Sequence, residues 1–289
     1  INISDGELEC TGKADIDGKL TMSGGTFDVN GELEMSSSTT EYITGGTITL
    51  AGDFDAVNAN SFTPTGGTMT LDGSASNVDL FLHSSGNLYN LTVNNSNGAA
   101  LTGSLAVDGN LDLAVGVINL NTHILTANIG ASVVNTSNYS HTYNGHVAKV
   151  FNSTSSFTYP CGDGTNYRPI TLASSTANTN NLSAAFLSAT PNQNSLNSSL
   201  SSIVSFGWDL QRISGSDGFN VTIPLDANYS ITDYNNLTIA MWNGSEWTEL
   251  PSTLAVSATL TGTASSGSIT TNSTVSDFSN RYFTLGYKS

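Results

Sequence analysis

The 289-residue sequence predicts an all-β protein, a parallel β-solenoid followed by a β-sandwich. Three observations carry that prediction. One phrase recurs at an interval of 21 residues, as Gly24-Gly25-Thr26-Phe27-Asp28-Val29, Gly45-Gly46-Thr47-Ile48-Thr49-Leu50 and Gly66-Gly67-Thr68-Met69-Thr70-Leu71. Apolar residues alternate with polar ones through these copies, the period of a strand with one buried face. No stretch with a capped 3.6-residue period interrupts residues 1–150, so helices are not expected there.

A fixed short period means that one structural unit stacks on itself and buries its apolar face against its neighbours. In the best-preserved copy, Phe27, Val29, Leu33 and Met35 face one way, and Asp28, Asn30, Glu32 and Glu34 the other. Short strands of this kind are not stable alone, whereas stacked in parallel they share a continuous core. Related phrases stand at Gly6-Glu7-Leu8-Glu9-Cys10, Gly18-Lys19-Leu20-Thr21-Met22, Gly31-Glu32-Leu33-Glu34-Met35 and Val107-Asp108-Gly109-Asn110-Leu111-Asp112-Leu113. Their glycines are spaced by 12 and 13 residues near the start, then by 21. On that spacing the preserved unit is a strand–corner–strand phrase centred on glycine, with eight or nine residues inserted between later copies. Glycine suits a corner because it accepts positive φ and close approach. The pattern continues through Leu88–Val93, Leu101–Leu105 and Ile118–Leu120, and residues 130–150 read as a last rung or a cap.

From residue 151 the texture changes, which sets the expected domains at 1–150 and 151–289. All three tryptophans, all three arginines and five of the six prolines lie in the second half. Longer alternating runs appear at Phe219–Ile223 and Leu237–Trp242. The segment Trp242-Asn243-Gly244-Ser245-Glu246-Trp247 reads as a tight hairpin, with Asn-Gly supplying a type I′ turn. Residues 173–202 read as one strand, Ser183–Leu187, with a long loop. Strands and turns without helices point to a sandwich.

Composition narrows the function. Ser, Thr and Asn make up roughly two-fifths of the chain, far above the usual share. Charged residues are 10%, with 23 acidic against 7 basic and a net charge of −16. Phosphate recognition needs clustered Lys and Arg, so nucleic acid is excluded as a partner. Acidic lipid surfaces and polyanionic glycans are disfavoured on the same ground. No apolar run approaches the ~18 residues of a membrane span, so no membrane insertion is expected. The chain opens in mid-pattern with Ile1-Asn2-Ile3 and shows no signal peptide, which reads as a segment of something longer.

The phrase Phe157-Thr158-Tyr159-Pro160-Cys161-Gly162-Asp163-Gly164-Thr165-Asn166-Tyr167-Arg168-Pro169-Ile170 resembles a recurrent segment of large surface proteins of the Bacteroidota. Thr238-Ile239-Ala240-Met241-Trp242-Asn243-Gly244-Ser245-Glu246-Trp247 and Phe283-Thr284-Leu285-Gly286 share that resemblance, which covers residues 139–289 most specifically. It implies an adhesin-like, cell-surface or secreted protein of the type IX secretion cargo type. Its partners would be other surface proteins or glycans, and the resemblance brings no catalytic residues. Cys161 stands where the family would have a small aliphatic residue.

Candidate chemistry remains thin. Asp15/Asp17 and Asp53/Asp55 are i,i+2 pairs whose carboxylates would share one strand face, roughly 6.5–7 Å apart, near the separation of an inverting glycosidase pair. A carbohydrate-active β-helix enzyme, or a phage-spike-like depolymerase, is therefore the alternative reading. Against it, outward positions are generically acidic, and a uronate lyase would need basic groups, of which residues 1–150 hold only Lys13, Lys19 and Lys149. The expectation is a chain that is not an enzyme. No cofactor is expected; calcium is the more plausible ion, with Asp15-Ile16-Asp17-Gly18 and Asp163-Gly164-Thr165-Asn166 as the best short clusters, neither of which fits the EF-hand spacing or the glycine/aspartate nonapeptide repeat. His141 and His146, five apart in a turn-rich segment, lack nearby partners for zinc, and His83, His123, His141 and His146 all read as ordinary polar surface or turn residues. Cys10 and Cys161 are too few and too distant for a disulfide framework; Cys10 takes the place of Met22 and Met35 as a small buried hydrophobe, and Cys161 has no paired His to make it a nucleophile. Trp242 and Trp247 are the candidate ligand-binding residues, as an exposed aromatic platform for a sugar in a carbohydrate-binding C-terminal module.

Overall fold

The computed structural model describes residues 1–56, 62–73, 78–82, 86–226, 229–231, 233–256, 266–279 and 281–289. The chain divides into two compact units, residues 1–148 with 164–167, and residues 149–163 with 168–289. No α-helix occurs among the described residues.

The first unit is a parallel β-solenoid of about six turns. Each turn passes along three faces, and Lys19–Val29 and Thr40–Leu50 each run unbroken from the third face into the first. On the first face Leu8, Phe27, Ile48, Met69, Leu91 and Leu111 stand directly above one another. Cys10, Val29, Leu50, Leu71 and Val93 form a second inward row. The second face stacks Ala14, Leu33, Phe54, Leu80 and Leu101. On the third face Met22 pairs with Ile43, and Leu88 pairs with Val107, which pairs in turn with Ala127. Val29, Leu33, Leu50, Phe54, Leu71 and Leu91 are fully buried. Each such side chain contributes about 1.5–3 kcal/mol on leaving water. The alternation read from the sequence is therefore the alternation of the core.

The glycine spacing has a different meaning from the one expected. Gly6, Gly12 and Gly18 occupy the three successive corners of the first turn, ahead of strands Glu7–Cys10, Ala14–Ile16 and Lys19–Val29. Their stacked successors confirm the assignment: Thr26 N–H donates to Gly6 O (2.8 Å), and Thr40 N–H to Gly18 O (3.2 Å). A 12-residue interval thus joins two corners of one turn, and the 21-residue interval is a whole turn instead of a shorter unit with eight or nine residues inserted. The phrase Val29-Asn30-Gly31-Glu32-Leu33 turns from first face to second, whereas Val107-Asp108-Gly109-Asn110-Leu111 turns from third to first. One phrase serves both corners because at each a Cβ would strike the turn below, 2.6 Å from Gly12 C at Gly31 and 2.3 Å from Asn90 Oδ1 at Gly109. In the three turns that carry it, the Gly-Gly pair at the corner between third and first faces leaves no room for a side chain. Gly46 has φ +83° and a Cβ there would lie 2.6 Å from Gly24 O, while a Cβ on Gly66 would lie 2.2 Å from Thr44 O. Residues 130–150 include a further rung, since Ser132–Val134 pairs with Asn110–Val115 and Thr142–Tyr143 with Ile118–Asn119.

The second unit is built of antiparallel sheets in a sandwich-like arrangement. One sheet runs in the order Ser156–Tyr159, Ile170–Ser174, Phe219–Asp226, Ser266–Thr271, Ser252–Val256. The other contains Asn180–Leu187, Gly207–Ser214, Arg281–Lys288, Leu237–Trp242 and Trp247–Leu250 in that order, with Leu200–Ile203 also on Arg281–Lys288. Aromatic rings join them: Phe219 meets Phe278 edge-on at 6.1 Å, and Phe278 stacks on Phe283 at 5.9 Å. Across the same core Tyr159 Oη donates to Leu182 O at 3.1 Å. The strand expected at Ser183–Leu187 begins three residues earlier, at Asn180. Leu200–Ile203, expected within a loop, forms a strand, because Arg281–Lys288 offers it an open edge.

Candidate functional site

The tryptophan platform is not present. Trp242 and Trp247 lie directly opposite across the hairpin, with ring centroids 5.8 Å apart at 58°. Trp247 is fully buried, Trp242 is 9% exposed, and both pack with Leu200 and Ala240. Trp247 Nε1 donates to Pro191 O at 3.0 Å, so its one polar atom is satisfied internally. Neither ring presents an open face to a sugar. The pairing also requires a four-residue loop, Asn243–Glu246, instead of a type I′ turn. Asn243 Oδ1 accepts the N–H groups of Ser245 (2.9 Å) and Glu246 (3.0 Å), and only Gly244 of the central pair has positive φ.

The acidic pairs belong to outward rows. Asp15, Glu34 and Asp55 are in register on the second face, about 4.8 Å apart per step. Lys13 bridges Glu34 and Glu32 beside that row, and hydrogen bonding to Glu34 first of all raises its pKa. Asp53 faces the next turn, accepting the Asp79 N–H at 2.9 Å. Desolvation and then Asp53 raise the pKa of Asp79, and desolvation and then Asp28 that of Asp72. The Asp163 carboxylate lies 3.9 Å from Arg168 Nε. Among the described residues no three or more His, Cys, Asp or Glu side chains gather to hold a metal, so neither candidate calcium cluster forms part of such a group.

Cys161 is 2% exposed, and burial pushes its thiol well above the ordinary range, which is the opposite of a nucleophile's requirement. Cys10 stands on the inward row but is half-exposed, because it belongs to the first turn. His83 lies outside the described residues. A small apolar recess of about 20 Å³, lined by Met22, Ile43, Phe62, Pro64, Met69 and Leu88, has room for about one water.

The solenoid unit also carries an open cleft of about 490 Å³. It is lined by Ser96, Val115, Gly116, Val117, Asn138, Tyr139, Gly164 and Thr165. Tyr139 is 83% exposed, more than any other large hydrophobic side chain described. It sits on a turn closed by reciprocal hydrogen bonds between Ser137 and Ser140, at 3.0 and 3.1 Å. His141, fully buried, fixes that turn. Its Nδ1 meets Ser137 O at 3.2 Å and its Nε2 accepts the Gly164 N–H at 3.2 Å, which assigns the ring proton to Nδ1. Tyr167 N–H donates to Asn138 Oδ1 at 2.9 Å. Of the polar-surface or turn role expected for His141, the turn role is the one observed: it is buried and clamps the turn from inside. Sequence reasoning missed Tyr139, since Asn138-Tyr139-Ser140 carries no periodic signal, and its Asn-x-Ser pattern recurs so often in this Asn-, Ser- and Thr-rich chain that it singles out no position. No family model, curated protein or solved structure matches the chain.

Proposed function

We propose that this chain is a non-enzymatic structural and adhesive module of a bacterial extracellular surface protein, whose solenoid serves as a stiff spacer and contact surface. The observation that carries this reading is the polar ladder on the solenoid exterior. Asp108 accepts from Asn87 below (2.5 Å) and Asn128 above (2.6 Å), Thr49 Oγ1 donates to Asp28 (2.5 Å), and Asn135 donates to Asp112 (2.7 Å). Each such bond locks one turn to the next from outside while the apolar rows lock it from inside. Stretching the stack would break both sets together. The hydroxyl- and amide-rich, Lys-poor surface suits a protein exposed to the medium.

Force spectroscopy on the whole chain held at its ends tests the proposal. Turns in register at 21-residue separations should be released in steps of about 70 Å of contour. Smooth extension at low force, or release of new reducing ends when the chain is incubated with polysaccharides, would overturn it.

A further inference from the structure

We infer that the cleft beside Tyr139 is a binding subsite for a neutral sugar ring. The inference deepens the contact-surface part of the reading above and rests on it. Large side chains of the solenoid are otherwise mostly inside, yet Tyr139 is held 83% exposed. It is held there by a fixed turn: Ser137 and Ser140 close it, Ser137 Oγ accepts the Tyr139 N–H at 3.1 Å, Tyr167 N–H pins Asn138, and buried His141 braces it from Ser137 to Gly164. An aromatic ring presented by ordered backbone loses little freedom when it meets a ligand.

The lining defines the ligand. Val115 and Val117 supply apolar surface, and Gly116 and Gly164 keep the floor low. Gly116 cannot be replaced by a larger residue, since its φ is +101° and a Cβ would lie 1.9 Å from Asn95 O. Ser96, Thr165 and Asn138 bring hydroxyl and amide groups to the rim, and no lining residue is charged. A pyranose has a matching surface. Its axial C–H groups carry partial positive charge toward the negative face of an aromatic ring, and its equatorial hydroxyls exchange hydrogen bonds around the edge. The cleft, at about 490 Å³, has the size of a small-ligand site. A net charge of −16 disfavours acidic sugars.

Titration of the whole chain by calorimetry tests the inference, with cellohexaose, maltohexaose and mannohexaose as neutral probes, hexagalacturonate as the acidic probe and a Ser/Gly peptide as control. At least one neutral oligosaccharide should bind, Tyr139→Ala should weaken it about tenfold or more, and Tyr139→Phe should retain it. An unchanged melting temperature for Tyr139→Ala would show that the loss is not unfolding. Silence of all neutral probes, binding indifferent to Tyr139→Ala, or preference for hexagalacturonate or the peptide would each overturn it. The stepwise extension described above is independent of these titrations, so failure of the sugar subsite and failure of the spacer reading are distinguishable.

Discussion

The two units solve the same problem, burying apolar strand faces without helices, by opposite uses of chain distance. In the solenoid a residue meets its partner about one turn away: Leu8 pairs with Phe27, Phe27 with Ile48 and Ile48 with Met69. In the second unit partners are far apart, as in Phe206 O accepting from Thr284, 78 residues on, or Ser201 donating to Tyr287, 86 residues on. The solenoid can therefore repeat one solution, whereas the sandwich-like unit needs a separate solution at each place. The difference extends to polar groups. Solenoid polar side chains bond outward along the ladder, while the second unit encloses networks. There Asn180 and Asp217 are tied to Arg212, and buried Trp208 donates to Arg168 O at 2.8 Å.

Substitutions that break one solution and not the other sharpen the contrast. The largest effect is expected from Trp208→Ala, which removes a fully buried ring packed on Phe186, Phe206 and Tyr229. A loss of about 3–5 kcal/mol should appear in urea unfolding followed by emission of the remaining tryptophans. Gly46→Val should cost about 3 kcal/mol or more, because it adds both a strained φ and a backbone clash with the turn below. Far-UV circular dichroism during urea unfolding reads it, and tolerance of that substitution would contradict the corner argument. Asp108→Ala removes one carboxylate that joins three turns, and a loss of about 1–2 kcal/mol should appear in calorimetric unfolding.

The smallest effect concerns pH. Hydrogen bonds from Ser279 and then Arg281 hold the Asp277 carboxyl down to about 2. A depressed carboxylate pKa stabilises the fold above the unfolded value of about 3.9, and the contribution is lost as pH falls through about 2. Because Asp277 is half-exposed, solvent screening keeps this to under about 1 kcal/mol. Acid unfolding of Asp277→Asn should be correspondingly flatter between pH 4 and about 2.

Much of the solenoid is legible in the amino-acid sequence alone. Phe27, Val29, Leu33 and Met35 announced the buried side through period two, and the Gly-Gly-Thr phrases announced the turn. Misreading came at the corners, because a glycine in the sequence does not say which of three corners it occupies. In the second unit strands were recognisable singly, but their pairing was not. Leu200–Ile203 is too short and polar to declare itself without Arg281–Lys288 beside it. For the candidate site the sequence misled: tryptophans flanking a turn look exposed, yet Trp242 and Trp247 are covered by Leu200, Leu196 and Ile203 from elsewhere in the chain.

The sequence by itself determined the class of fold, the solenoid period and the inward rows, because those follow from local alternation and from steric limits that recur every turn. Only the tertiary structure decided which glycine turns which corner, how the C-terminal strands are ordered, that the tryptophan pair is core, and that Tyr139 is held in the open. Each of these depends on groups brought together from distant parts of the chain, and no local pattern encodes them.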